Sequence, residues 1–164
     1  MKNQFLLLSF SILVLSSCMS TNSSSTNFTP NPHVETYEDL EHDKDELYIL
    51  ANEWFNQAFV NAESVISFRD KESGVIIGKY RFFGTRYTTQ YGTSDNTVMA
   101  SIVIRLKDNK ARVTITPLGE IRYSNMSYDG ISSGNKYSEE DAKRDMSNLA
   151  NDFNHFVMSA NNDF

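Results

Sequence analysis

VMASIVIRLKDNKARVTITPL, residues 98–118, decides the architecture of this chain. Val98, Ala100, Ile102, Ile104 and Leu106 alternate with more polar neighbours, the period of two that sets one face of a strand against a core. After Asp108, Asn109 and Lys110, which are turn formers, Ala111 to Leu118 resumes the alternation, with Val113 and Ile115 on the same inward face. The stretch therefore predicts an antiparallel hairpin. Immediately upstream, Ser64 to Asp70 and Val75 to Phe83 are strand-like and flank Lys71, Glu72, Ser73 and Gly74, a turn in which glycine can take positive φ. That predicts a second hairpin, and His33 to Asp39 adds a further strand on a weaker, acidic alternation.

The period changes to that of a helix on both sides of the hairpins. Asp43, Lys44, Asp45 and Glu46 form an acidic cap with Glu three residues on, and Leu47, Leu50, Ala51, Trp54, Phe55, Ala58 and Phe59 share one helical face. This predicts a helix to about Asn61. Ser138 is placed to cap a second helix, with Glu139, Glu140 and Asp141 in its first turn and an apolar face of Ala142, Met146, Leu149, Phe153, Phe156 and Val157. Two helices and one antiparallel sheet make an α+β two-layer sandwich in the order β-α-β-β-β-β-α, with both helices on one face. If Ile66, Phe68, Ile76, Tyr80 and Phe82 point to the helices, the opposite face carries Arg69, Val75, Ile77, Lys79, Arg81, Phe83, Met99, Val103, Arg105 and Arg112, without one acid.

The N-terminus carries an address. Lys2 precedes an apolar run from Phe5 to Leu15 that is too short to span a bilayer as a mature helix, so residues 1–17 read as a signal peptide. Leu15, Ser16, Ser17 and Cys18 resemble a bacterial lipobox, in which Cys18 takes the lipid and becomes the first mature residue. Met19 to Pro32 is mainly Ser, Thr and Asn, a composition that buries no core, so residues 18–32 are expected to be the lipidated cysteine and its tether. Residues 33–164 then form a single domain. The expected location is the cell envelope, attached to the outer membrane.

Composition narrows the chemistry. Fifteen Lys and Arg against 21 Asp and Glu give a net charge of −6, which becomes −7 once Lys2 is removed, and argue against nucleic-acid binding. A single cysteine excludes an internal disulfide and cysteine-rich zinc sites. His33, His42 and His155 have no histidine or cysteine at metal-ligand spacing, no Gly-x-Ser-x-Gly elbow occurs, and Gly74 and Gly78 bracket a strand rather than open a phosphate loop. Neither a metal, a cofactor nor an enzymatic activity is expected. Trp54 reads as a core residue whose indole N–H needs a partner.

The block Asp45 to Lys79, DELYILANEWFNQAFVNAESVISFRDKESGVIIGK, resembles a bacterial family of secreted lipoproteins known as a domain of unknown function with a TATA-binding-protein-like (TBP-like) fold. The features carrying it are the acidic start, Leu47, Tyr48, Ala51 and Trp54, then Val65, Ile66, Asp70, Lys71, Glu72, Gly74, Ile76, Ile77, Gly78 and Lys79. The resemblance implies a curved antiparallel sheet with helices on its convex side, and an envelope address. It brings no catalytic or binding residues.

Charge is segregated along the chain. Residues 64–118 hold nine Lys and Arg against four Asp and Glu, and the remainder is correspondingly acidic. A candidate binding face follows, led by Lys79, Arg81, Arg105 and Arg112 around Val75, Ile77, Met99 and Val103, and suited to an acidic or amphiphilic partner unless the acidic stretch Glu35 to Glu46 or another element lies near it and neutralises it. Tyr87, Tyr91, Tyr123, Tyr128 and Tyr137 fall in or beside two long loops, 84–97 and 119–137, and are candidate contacts. The expected role is a lipid-anchored, non-enzymatic binding or accessory module for another envelope protein. The alternative is a carrier for a small amphiphile.

Overall fold

The computed structural model describes residues 27–82, 86–89, 92–95, 98–122 and 138–160. Its centre is the hairpin of β7 (Val98–Lys107) and β8 (Lys110–Pro117), joined by a two-residue turn in which Asn109 has φ 60°. Asparagine is among the few non-glycine side chains that accept this left-handed conformation. Around the hairpin the sheet is built from β2 (His33–Glu38), β3 (Ile66–Asp70) and β4 (Val75–Phe82), in the order β2-β8-β7-β4-β3 with every pair antiparallel. The weak acidic stretch is thus an edge strand.

Two long helices cover one face. The first, α1 (Lys44–Ala58), starts in a reciprocal capping box: Asp43 accepts from the Glu46 backbone N–H, and Glu46 accepts from that of Asp43. The helix ends at Ala58, three residues before the expected Asn61, because Phe59 turns extended and Asn61 caps a new turn, α2 (Ala62–Val65), by accepting from the Ser64 N–H at 3.2 Å. Ser64 and Val65 are consequently helical rather than the start of a strand. At the far end of the chain, α3 (Glu139–Ala160) begins as expected at Ser138, whose Oγ accepts from the Asp141 N–H at 3.1 Å.

The core lies between these layers. Ile76, Ile102, Ile104, Val113 and Ile115 meet Leu47, Ala51 and Phe55 of α1 and Met146, Phe153 and Val157 of α3, all fully buried or nearly so. Trp54 sits at the helix–helix seam, edge-on to Phe55 at 5.1 Å and to Phe153 at 5.4 Å, and its indole N–H donates to Asp152 at 2.8 Å. Gly74 takes φ 65° in the β3–β4 turn, where its carbonyl accepts from the Leu106 N–H at 2.8 Å.

Three features depart from the sequence reading. Short strands β1 (Asn27–Phe28) and β9 (Ile121–Arg122) pair, Phe28 packs on the core and Pro30 is buried, so residues 27–30 of the stretch expected to be tether belong to the folded body. The expected loop 84–97 contains a hairpin of β5 (Arg86–Thr89) and β6 (Gly92–Asp95). Its Thr and Tyr residues favour strands even without apolar alternation. The third departure is a register shift between Ile66 and Phe68, which pairs Phe68 with Ile77 and Arg69 with Ile76. One extra residue in a strand reverses the facing of those on one side of it. Phe68 therefore lies on the open face and Arg69 on the helix side, the reverse of the expectation, where Arg69 donates to Asn52 of α1 and to both oxygens of Glu63.

Candidate functional site

No described helix lies over the second face of the sheet, and strand register assigns its side chains. Val75, Ile77, Lys79 and Arg81 of β4 pair with Arg105, Val103, Ser101 and Met99 of β7, while Arg112 and Thr114 of β8 pair with Arg105 and Val103. All eight residues of the candidate binding face therefore share one surface. Register adds Phe68, 49% exposed, and Val34, 52% exposed, at the ends of an apolar row through Thr114, Val103 and Ile77. It also adds two acids, Asp70 and Glu38, so the face is not free of carboxylates. Asp70 is committed to the β3–β4 turn, accepting from the Glu72 and Ser73 N–H groups and the Ser73 hydroxyl, and these bonds, the hydroxyl foremost, hold its pKa below the usual range.

The acidic lead-in does not cover this face. Glu38 reaches it at one corner, pairing with Lys110 at 2.8 Å; that hydrogen bond and the Lys110 charge lower the Glu38 pKa. Glu35 lies on the other side of β2, 3.0 Å from His33 Nε2, while Asp43 and Glu46 cap α1 and Asp45 pairs with Lys71. Among the described residues, no carboxylate lies within ion-pair distance of Lys79, Arg81, Arg105, Lys107 or Arg112. Arg112 donates instead to the Thr36 hydroxyl at 3.3 Å.

Two hollows border this surface, the second lying mainly on the helix side and meeting the open face at its rim. At the β7–β8 turn a concavity of about 480 Å³ is walled by Thr36, Glu38, Lys44, Arg105, Lys107, Lys110 and Arg112, with Val75 in its lining. At the opposite end, where α1 finishes, a shallower hollow of about 800 Å³ is lined by Phe59, Val65, Tyr80, Phe82, Met99 and Leu149, with Lys79 and Arg81 beside them. Burial, and then the charge of Asp145, push the Tyr80 hydroxyl well above its ordinary pKa.

Other candidates are less well placed. Cys18, Tyr91, Tyr123, Tyr128 and Tyr137 lie outside the described residues, and Tyr87 is described only in its backbone. His42 Nδ1 stands 3.4 Å from Glu46, and His155 is exposed. No grouping of three or more His, Cys, Asp or Glu able to hold a metal occurs among the described residues, and no helix among them is long and apolar enough to cross a membrane.

The profile of a family described as a domain of unknown function (DUF4468) with TBP-like fold matches residues 40–123, from the entry to α1 through the whole central hairpin. The chain belongs to this family. The DUF4468 match contains the block 45–79 and extends across every strand of the open face except β2. Two solved structures are similar to the chain: a DUF4468 family protein from Bacteroides ovatus, at 15% identity with a TM-score of 0.46, covering 80% of this chain and 88% of that one; and a TBP-like protein from Parabacteroides distasonis, at 13% identity with a TM-score of 0.49, covering 77% and 91%. No curated protein matches.

Proposed function

We propose that the protein is an exported, lipid-anchored and non-enzymatic binding module. In this reading Cys18 holds it at the envelope and the open face of the sheet docks on another envelope protein. The observation that carries the reading is a sheet face over which no described helix lies. Phe68 and Met99 stand 49% and 44% exposed on a surface where Lys79, Arg81 and Arg105 have no carboxylate partner among the described residues. Exposed apolar area interleaved with unpaired cations suits a partner with an acidic rim around an apolar contact. Cross-linking in intact envelopes tests the role: the wild-type chain captures a discrete partner, and the Arg81→Glu/Arg105→Glu chain does not. A charge-reversed chain that keeps every partner rules the docking face out. The anchor is tested separately, by radiolabelled palmitate incorporation that Cys18→Ala abolishes.

A second reading, an amphiphile carrier, draws on the 800 Å³ hollow. Its aromatic and aliphatic lining has the size of a site for an acyl chain, with Lys79 and Arg81 outnumbering the one carboxylate, Asp145, where an anionic head would sit. Native mass spectrometry of gently purified protein distinguishes the two. A retained adduct of a few hundred daltons favours the carrier, and a bare chain favours docking.

A further inference from the structure

We propose that the turn end of the β7–β8 hairpin is a binding site for a phosphate-bearing ligand. The inference stands apart from the docking reading, because it rests on how four cations are arranged rather than on the face being open. Arg105 lies directly opposite Arg112, and Lys107 directly opposite Lys110. Side chains opposed across an antiparallel pair have Cβ atoms about 4.5–5.5 Å apart, and like charges in that position destabilise the sheet. Here two such pairs follow one another along the hairpin, separated by about 6.8 Å of strand. All four residues are exposed, so packing does not demand these side chains.

The repulsion is only partly relieved within the protein. Glu38 pairs with Lys110 at one corner, where the charge of Asp39 also acts, and no described carboxylate lies within ion-pair distance of the other three. An anion seated between the two columns supplies the missing charge. Guanidinium groups offer planar donor forks that match phosphate oxygens, and lysines add point charges beside them. A phosphate monoester, with up to two charges on one centre, offsets more of the repulsion than a single carboxylate. The concavity of about 480 Å³ is larger than a bare oxyanion fills, and Val75 gives it an apolar part, so the phosphate is carried on an organic body.

The test is thermal unfolding of the full chain, read by the fluorescence of Trp54, its single tryptophan. Two phosphate sources are compared at matched ionic strength with sodium chloride: soluble glycerol 3-phosphate, and phosphatidylcholine vesicles with and without phosphatidic acid. The expected result is a midpoint raised by one of the phosphate probes beyond the salt control. A response to glycerol 3-phosphate identifies a soluble ester, and a response only to phosphatidic acid vesicles identifies a lipid headgroup. The Arg105→Gln/Arg112→Gln chain should unfold at a higher temperature than wild type without ligand, since repulsion is removed. Its affinity for the probe should fall at least tenfold, as expected for losing charge-assisted hydrogen bonds. Lys79→Gln/Arg81→Gln, at the other end of the same face, should respond like wild type. The proposal is overturned if neither probe shifts the midpoint, if the shift survives in Arg105→Gln/Arg112→Gln, or if both double variants lose it equally. A Lys107→Gln chain, changed in the columns but outside the docking residues, should bind the phosphate probe more weakly and still capture the protein partner, which separates failure of this site from failure of the docking face.

Discussion

Gly78 lets the Phe55 ring of α1 pack directly against the sheet, and adding one methyl group there tests the packing of the two layers. A Cβ at this position would stand 2.9 Å from Phe55 Cε1, 3.0 Å from Ile102 Cγ2 and 3.2 Å from Val65 Cγ1. Phe55 and Ile102 are fully buried, so neither can swing into solvent to make room. Overpacking of this kind costs about 1–3 kcal/mol. Replacing glycine also restricts the unfolded chain, which returns about 0.4–1 kcal/mol. The net expectation for Gly78→Ala is a loss of about 1–2 kcal/mol, or a midpoint lowered by roughly 3–8 °C in a domain of this size. Urea unfolding followed by Trp54 fluorescence measures it, with the denaturant slope unchanged if only native packing is affected. Gly119→Ala is the internal comparison: its Cβ would meet Val98 at 3.6 Å, ordinary contact, and the change should stay within about 0.5 kcal/mol. Trimming the ring with Phe55→Leu should make Gly78→Ala less costly, with a coupling of about 0.5 kcal/mol or more. A Gly78→Ala chain as stable as wild type, or one showing no coupling to Phe55→Leu, would refute the close-packed interface.

Asp152→Ala should destabilise by about 1–3 kcal/mol although Asp152 itself is exposed, because it strips the partner from the buried Trp54 indole N–H; Asp152→Asn, which can still accept, should cost less. Acid should weaken the fold through Asp70 and Asp141. The Asp141 pKa is held down first by the Ser138 backbone, then by the Ser138 hydroxyl and Arg144. Their unfolded carboxyls titrate near pH 3.9, so their contribution is complete above that value and is lost as the pH falls through the lower folded pKa. Asp141→Asn should flatten the decline of the urea midpoint below pH 4. Alkali acts through Tyr37 and Tyr80. Burial and then Glu35 raise Tyr37 to about 12, and Tyr80 is raised as well. Stability from both is complete below the unfolded value near 10 and is lost as the pH rises towards the folded ones, so Tyr37→Phe should reduce the loss between pH 10 and 12.

Periodicity made the central sheet and both long helices legible, since Ile102 and Ile104 or Leu47 and Ala51 each repeat at the spacing of one buried face. The capping box at Asp43 and the Ser138 cap were legible for a different reason: their hydrogen bonds span only three residues of sequence. What escaped depends on partners far along the chain. Nothing around Ser67 signals the bulge that exchanges Phe68 and Arg69 between faces, because Ile-Ser-Phe-Arg reads equally well in either phase. The paired cations were hidden by a single residue of turn length. Taking Asp108, Asn109 and Lys110 together as the turn sets Arg105 opposite Val113, an impossible mixture of faces. The two-residue turn, made possible by Asn109 at φ 60°, brings Arg105 to Arg112 and Lys107 to Lys110. The basic residues of the candidate face were therefore identifiable by type, while their arrangement was fixed by the geometry of one asparagine.

That arrangement bears on the source of the phosphate. The chain enters the body at β1, beside β9 and beyond the end of β8, which is the end of the sheet where β7 begins. The cation columns occupy the end where β7 finishes, seven to nine residues away, or about 23–30 Å at the rise of an extended strand. If Cys18 is the anchor and the composition of residues 18–26 makes them the tether expected from sequence, a random coil of that length spans about 15–18 Å on average. Short of full extension of that segment, the columns then reach headgroups of the anchoring membrane only when the body lies flat on its open face, the same surface proposed to receive a protein. Lipid headgroup and protein partner would exclude one another, whereas a soluble phosphate ester in the turn-end concavity leaves the apolar row and Arg81 accessible. Lysine acetylation of the anchored chain on anionic vesicles tells these apart. Equal protection of Lys79 and Lys107 relative to detergent indicates a body lying flat. Modification of Lys107 undiminished by the vesicles indicates columns held away from the bilayer, and with them a soluble ligand.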